Sequence, residues 1–461
     1  MLAFGTDGVR GVGNVELTPE LVVALGRAVA RVLGVERFLL ARDTRRSGPL
    51  LQAALAAGLS AEGVAVADLG VLPTPGLAYT SASRAVPAAM ISASHNPFPD
   101  NGIKVFSPEG TKLADHLETA IEAAWDQVLA EGATPGAGRP PRSGAAVGPV
   151  EADGEAAASY LDHLRGSLHG RSLAGLSVVL DCAHGAASAL APGLVASLGA
   201  QVETLGADPD GTNINDGCGS THPEALQAAV RSSGADVGLA FDGDADRCLA
   251  VDHHGRVVDG DHLLALFALD LAQRGELDGG GVAVTVMTNL GFRLAMEVAG
   301  IEVVVTPVGD RHVAEAMADG GLALGGEQSG HIIFSRLATT GDGMLTGLQL
   351  LDLVCRRGLP LAELAAQAMT RLPQHLVNVT LAPGGIARLP GAAGVWEEVA
   401  AVEAELGDKG RVLLRPSGTE PLIRVMAEAQ GLEEAIAAVD RLCTVVRREL
   451  GAPEPSPRPR P

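Results

Sequence analysis

The feature that most restricts the fold of this chain is an alternation. From Thr18 onward, short apolar runs and segments of helical period follow one another without a break. Thr18-Pro19-Glu20 opens a helix to about Leu33, with Thr18 as N-cap and Pro19 at the first helical position. A strand at Arg37 to Ala41, a helix from Pro49 to Ala61, a strand at Val64 to Asp68, a turn at Pro73-Thr74-Pro75 and a buried run into Ser94 come next. Strand and helix in succession read as βα units and a mostly parallel sheet. The pattern restarts at Ala156, with strands at Ser177 to Asp181, Gln201 to Leu205 and Val237 to Phe241. It restarts again at Asp259, with strands at Val282 to Met287 and Glu302 to Thr306. The three passes share a rhythm without clear residue identity, which predicts an internal repeat. After Met369 a smaller α+β texture takes over, with strands at Val377 to Leu381, Val412 to Arg415 and Ile423 to Glu428. The expected architecture is α/β: three related domains with mixed, mostly parallel sheets, then a smaller C-terminal α+β domain. The borders fall at 1–150, 151–252, 253–368 and 369–450, and the Pro-rich segment 451–461 is expected to be disordered.

Length agrees with this division, since 461 residues make three or four domains at about 100–150 residues each. Charge narrows the partners. A formal net charge of -21 and only 3% aromatic residues argue against nucleic acid, which needs basic surface and stacking platforms. A small phosphorylated ligand remains compatible if a few arginines converge, and a divalent cation if carboxylates cluster. The cysteines (Cys182, Cys218, Cys248, Cys355, Cys443) are scattered, which suits a reducing cytoplasm. Asp7 and Arg10 precede any apolar leader, and no uncharged apolar run reaches the ~18 residues of a membrane span. Cys218, His222 and His184 are not at zinc-ligand spacing.

Four loops carry candidate chemistry. Ala89 to Pro97 runs a short apolar strand into a polar loop that presents Ser94, a candidate nucleophile; Asp100-Asn101-Gly102 reads as a second turn before Lys104. Asp242-Gly243-Asp244-Ala245-Asp246-Arg247 ends another apolar strand. In extended backbone its three carboxylates share one face, and oxygen ligands at that density call for a hard cation, Mg²⁺ by default. An EF-hand is ruled out by Arg247 and His253 at the positions that want Gly and Glu. Arg415-Pro416-Ser417-Gly418-Thr419-Glu420, with Arg424, reads as an anion cradle. Gly325 to His331 offers Glu327, Gln328, Ser329 and His331 to sugar hydroxyls, and Phe4 to Gly11 offers Arg10 to a phosphoryl group. Taken singly, the Ser94, Arg415, Gly325 and N-terminal loops also read as ordinary turns.

Together, and in this order, the loops resemble the α-D-phosphohexomutase superfamily from Phe4 to about Glu428, with support from Asn213-Ile214-Asn215, Gly219 to Glu224, Val308 to Arg311 and Thr339 to Gly343. Gln328 between Glu327 and Ser329, where phosphomannomutase/phosphoglucomutase enzymes usually carry Met, is similar to the glucosamine branch, as are Phe4 to Gly11 and Asn101 to Ser107. Gly13, His312 and the stretch Glu151 to Tyr160 depart from the pattern. The resemblance implies four domains around a central cleft and a resting phosphate on Ser94. It implies one Mg²⁺ held by the phosphorylated Ser94, Asp242, Asp244 and Asp246. The reaction implied is interconversion of glucosamine 6-phosphate and glucosamine 1-phosphate through glucosamine 1,6-bisphosphate, feeding UDP-N-acetylglucosamine and cell-wall synthesis. Arg415, Ser417, Gly418, Thr419 and Arg424 would hold the phosphate not being transferred, and Glu327 and Ser329 the ring hydroxyls. Arg10 and Arg247 would neutralise charge, and Lys104 and His331 would move protons. A homodimer, and a kinase or autophosphorylation as the source of the first phosphate, are further expectations. A sister mutase acting on mannose or glucose phosphate and a non-catalytic sugar-phosphate sensor are the alternatives. Ser92 is the natural control for Ser94: Ser92→Ala is expected to preserve phosphorylation.

Overall fold

A computed structural model describes residues 4–5, 8–133, 139–382, 384–417 and 422–451. They gather into two compact units, one running to Thr288 and resuming at Ala299–Ala368, the other made of Asn289–Val298 and the chain from Met369. The Pro-rich tail after Gly451, and the Gly418 and Thr419 of the anion loop, lie outside the described residues.

The first unit contains three sheets. In chain order, β1 (Val9–Val12), β2 (Arg37–Arg42), β3 (Ala65–Val71), β4 (Ala88–Ile91), β5 (Asp100–Phe106) and β6 (Val150–Ala152) make the first, ordered β1-β5-β4-β2-β3-β6. The second takes β7 (Ser177–Asp181), β8 (Gln201–Leu205), β9 (Val237–Phe241), β10 (Cys248–Asp252) and β11 (Val257–Val258), ordered β11-β10-β9-β7-β8. The third takes β12 (Gly281–Thr285), β13 (Glu302–Thr306), β14 (Leu324–Gly326) and β15 (Ile332–Phe334), ordered β13-β12-β14-β15. One arrangement recurs in all three. A central strand (β2, β7, β12) has parallel neighbours on both sides, and one of those neighbours (β4, β9, β14) turns back into an antiparallel strand (β5, β10, β15). The turn-backs are the loops of Ser94, of Asp242 to Arg247 and of Glu327 to His331. The repeat expected from rhythm is therefore a repeat of topology, and it delivers the three loops from equivalent places.

Local sequence explains the framework. The helix Pro19–Leu33 starts at Thr18, whose hydroxyl accepts the Leu21 N–H at 3.4 Å, and ends at Gly34 in the left-handed region with φ 61°. It packs tightly on the helix Gly48–Ala61 because Gly26 and Gly58 meet there: a Cβ on Gly58 would lie 2.2 Å from the Val23 carbonyl oxygen. Two sequence expectations are corrected. Pro73-Thr74-Pro75 is the start of a helix, Thr74–Arg84, since proline in a first turn gives up an N–H that has no helical partner anyway. Asp100-Asn101-Gly102 is the start of β5, drawn straight by pairing with Val12, Gly11 and Arg10. Tertiary hydrogen bonding overrides the local turn preference of Asn-Gly. Among the described residues no helix is long and apolar enough to cross a membrane.

The second unit holds the antiparallel sheet β16 (Gln374–Thr380), β17 (Arg411–Pro416) and β18 (Leu422–Glu428), ordered β16-β18-β17, with the helix Leu432–Leu450 packed on β16 and β18. Val379, Ile423, Val425, Val439, Leu442 and Val446 form its core. Glu428 is wholly buried beside that core. Its carboxylate accepts the Arg411 guanidinium at 2.8 and 3.1 Å and the Leu290 N–H at 2.7 Å, and Asn289 exchanges hydrogen bonds with the Leu372 backbone at 3.0 and 3.1 Å, so both side chains tie Asn289–Val298 to the unit it belongs to. Breaking a buried ion pair from one side costs about 3–5 kcal/mol. Glu428→Ala should therefore lower the unfolding free energy of the second unit by about that amount, as measured by urea titration.

Candidate active site

β4 ends at Ile91, and the chain then bends so that Ser94 takes a left-handed backbone, φ 53°. For a residue with a Cβ this conformation costs about 1–2 kcal/mol and persists only where the surroundings impose it. The surroundings here are hydrogen bonds. The Ser94 N–H donates to Ser92 Oγ at 2.9 Å, and Ser92 Oγ donates to Asp43 Oδ2 at 2.6 Å. Ser92 is fully buried and links Ser94 to the end of β2. Ser94 Oγ donates to Asp242 Oδ2 at 2.6 Å and also lies 3.3 Å from His95 Nδ1.

Asp242, Asp244 and Asp246 come together as expected, but by another geometry. The segment is a turn rather than extended strand, with Ala245 at φ 56° and its N–H donating to the Asp242 carbonyl at 3.0 Å. Curling the chain, not strand alternation, places ligand oxygens of all three within 4.8 Å of one another. All three are buried. Burial pushes the Asp242 carboxyl well above the ordinary carboxylate range, and the neighbouring Asp246 and Asp244 add to the rise. Burial acts on Asp244 in the same direction, yet Lys104 and the Thr74 hydroxyl outweigh it and hold that group below the usual range. Lys104 Nζ is 2.9 Å from Asp244 Oδ2 and 3.6 Å from Asp246 Oδ2, and Thr74 Oγ1 donates to Asp244 Oδ2 at 2.6 Å. Asp244 Oδ1 and Asp246 Oδ1 are buried and have no hydrogen-bond partner among the described residues. Two orphaned carboxylate oxygens beside a third carboxylate are a donor set for a hard divalent cation, and Mg²⁺ fits it.

Arg247 joins the same cluster, and Arg10 reaches the Ser94 loop. Arg10 Nη1 donates to Asn96 Oδ1 at 3.2 Å on the Ser94 loop. The Arg247 N–H donates to Asp242 Oδ1 at 3.2 Å, and its Nε lies 3.8 Å from Asp246 Oδ1. Sequence reasoning missed Asp43, Arg45, Thr74 and Asn215, all of which touch Ser94, its loop or the triad. A signal existed for the first two: Asp43 to Ser47 is a polar run at the carboxyl end of a parallel strand, where open α/β sheets place ligands.

Glu327, Ser329 and His331 occupy the turn between β14 and β15. Glu327 Oε1 accepts the Gly309 N–H at 3.2 Å and Ser329 Oγ lies 3.5 Å from Glu327 Oε2. His331 is buried, with Nε2 accepting the Gly341 N–H at 3.2 Å and 3.7 Å from Asp310 Oδ2. The loop is fixed to the second sheet through the Cys248 N–H, which donates to the Gly330 carbonyl at 3.0 Å. In the second unit Arg415 and Arg424 stand directly opposite each other on β17 and β18. Cross-strand partners point to one face, and like charges so placed are unfavourable without an anion between them. Arg424 Nε is buried with no hydrogen-bond partner among the described residues, and the Ser417 N–H closes the loop on the Leu422 carbonyl at 2.9 Å.

Comparison with known proteins finds four matched stretches along the chain. Residues 1–131, 158–255 and 259–372 match the phosphoglucomutase/phosphomannomutase alpha/beta/alpha domains I, II and III, and residues 376–443 match the C-terminal domain of that family. A phosphoglucosamine mutase from Frankia alni is 54% identical, covering 98% of this chain and 99% of its own. Among solved structures, a phosphoglucomutase/phosphomannomutase family protein from Burkholderia thailandensis superposes with a TM-score of 0.80 at 26% identity, covering 98% of both chains. The N-acetylphosphoglucosamine mutase of Aspergillus fumigatus, solved with GlcNAc-6P and magnesium, shares the fold at a TM-score of 0.70 and 20% identity over 97% of this chain and 96% of that one. With each sheet matched in order and more than half of its residues shared with a full-length relative, the chain belongs to the phosphoglucomutase/phosphomannomutase family.

Proposed function

We propose that this enzyme is an isomerase that interconverts glucosamine 6-phosphate and glucosamine 1-phosphate, with Ser94 carrying the phosphoryl group and a 1,6-bisphosphate as intermediate. The observation that carries the reading is the 2.6 Å contact between Ser94 Oγ and Asp242, made across 148 positions of sequence. A hydroxyl held against a carboxylate cluster is the arrangement a phosphoserine needs. Phosphorylation adds about −1.5 to −2 charge at neutral pH, which three neighbouring carboxylates tolerate only with cationic help.

Asp242, Asp244 and Asp246 would hold Mg²⁺, which when bound polarises a phosphoryl oxygen and offsets negative charge. The chain's own residues do the rest. Lys104 supplies positive charge to Asp244 and Asp246 and is the first proton-transfer group, at Nζ. Arg10 and Arg247 border the phosphoryl site and neutralise charge that develops there. Arg415 and Arg424, with Ser417 and its neighbours Gly418 and Thr419, bind the phosphate that is not moving. Glu327 and Ser329 take the ring hydroxyls, and His331, braced by Gly341, is the second proton-transfer group. The relatives support the glucosamine branch, and Gln328 is the residue within the sugar loop that carries it. The proposed domains run 1–150, 151–252, 253–368 and 369–450. A cytoplasmic setting is supported by five cysteines that are all free.

Two measurements test this reading. In a coupled assay with trace sugar bisphosphate, turnover of glucosamine 6-phosphate should exceed that of glucose and mannose 6-phosphates by at least about tenfold, the discrimination expected where a site hydrogen-bonds the distinguishing group. The reverse order would make it a sister mutase. Even outer-shell partners of a metal are worth about 10–100-fold in affinity, so Asp244→Ala should weaken Mg²⁺ binding by at least about 100-fold in calorimetric titration.

A further inference from the structure

Between β4 and β5 the chain has no ladder of its own to hold it, yet Ser94 must sit in one strained conformation. The side chain that supplies the missing hydrogen bonds is Arg45, which is entirely buried. Its guanidinium has five N–H donors in one rigid plane, and the structure uses all five. Nε donates to Asp43 Oδ2 at 2.8 Å. One terminal nitrogen donates to the carbonyls of Pro97 and Asp100, the other to those of Ser94 at 2.9 Å and Asn96 at 2.8 Å.

The ion pair therefore grips Ser94 from both ends of its backbone. The carbonyl is held directly by Arg45, and the N–H is held through Ser92 by Asp43. The same Ser94 carbonyl also accepts Asn215 Nδ2 at 2.9 Å and sits so close to Gly243 that a Cβ there would lie 2.6 Å from it. The Asp43 to Ser47 loop is in turn anchored on the second repeat. Thr44 Oγ1 donates to the His184 carbonyl at 2.6 Å and the Arg46 N–H to the Gly211 carbonyl at 2.8 Å. The strand end that fixes Ser94 is thus bolted to the repeat that carries Asp242.

We propose that Arg45 is the positioning residue of the phosphoryl-transfer step: with Asp43 it fixes the direction of Ser94 Oγ relative to the Asp242 cluster, without touching substrate. The inference rests on the mutase reading above. Lysine cannot replace it, having three donors on a single point charge against five in a planar fork.

The test uses the full-length enzyme with Arg45→Lys and Arg45→Ala. A misplacement of about 1 Å at a reacting group costs on the order of 100-fold in rate. Both variants should therefore lose kcat by that order while KM for the sugar phosphate changes little, and free guanidinium ion should restore part of kcat to Arg45→Ala where methylammonium does not. Amide hydrogen exchange over residues 92–101 should quicken in both, with the core of the first sheet unchanged. Arg45→Lys retains the charge partner of Asp43, so it carries the test if Arg45→Ala does not fold. Wild-type kcat in Arg45→Lys, or a loss that tracks thermal stability and is indifferent to guanidinium, would overturn the proposal. Absence of wild-type turnover on any sugar phosphate would refute the mutase reading instead, and the exchange rates of residues 92–101 would then decide the role of Arg45 alone.

Discussion

Three carboxylates whose ligand oxygens lie within 4.8 Å of one another, in a buried place, are the constraint that the surrounding structure answers to. Two like charges about 4 Å apart repel by about 4 kcal/mol at an effective dielectric of 20, so such a cluster survives only if its environment is built to oppose that repulsion. The answer is unequal treatment. Asp244 receives Lys104 and Thr74 and is held as an anion, whereas Asp242 is pushed toward its protonated form and given the Ser94 hydroxyl. Asp244 is the member paired with Lys104, and Asp242 is the member in contact with the Ser94 hydroxyl.

The repeat explains how one chain assembles this. In each of the first three sheets a parallel strand turns back into an antiparallel neighbour, and each turn-back carries one functional loop. Because the position is topologically equivalent, three copies of one βα arrangement present three different side-chain sets: a hydroxyl, a cluster of acids and a polar loop flanked by glycine. Backbone bonds then join them. The Gly343 N–H donates to the Ala245 carbonyl at 3.0 Å and the Cys248 N–H to the Gly330 carbonyl at 3.0 Å, which locks the acid turn to the third repeat on either side.

Much of this was legible in the sequence, and the exceptions have physical causes. The alternation of apolar strands and helices gave the sheets, and Asp242, Asp244 and Asp246 declared themselves because such a density of acid has few uses. Their geometry did not follow, since nothing local says that Ala245 adopts a left-handed backbone and turns the strand end into a curl. Ser94 could not be told from an ordinary turn serine within its own loop, because what distinguishes it arrives from Asp242, 148 residues away. Arg45 was passed over for a similar reason, although its polar run follows a parallel strand. An arginine in a polar run reads as solvated surface, and only the fold reveals that four carbonyls converge on it. Asp100 to Gly102 misled in the opposite sense, because pairing with β1 overrode a strong turn signal.

The central claim is that Ser94 carries and transfers the phosphoryl group, and intact-mass spectrometry tests it most directly. Freshly purified enzyme should contain a phosphorylated fraction that is absent from Ser94→Ala. In the wild type, excess glucosamine 6-phosphate should discharge that fraction with stoichiometric appearance of the bisphosphate. Phosphate persisting at undiminished stoichiometry in Ser94→Ala, or a phosphoenzyme that the sugar phosphate cannot discharge, would contradict the account.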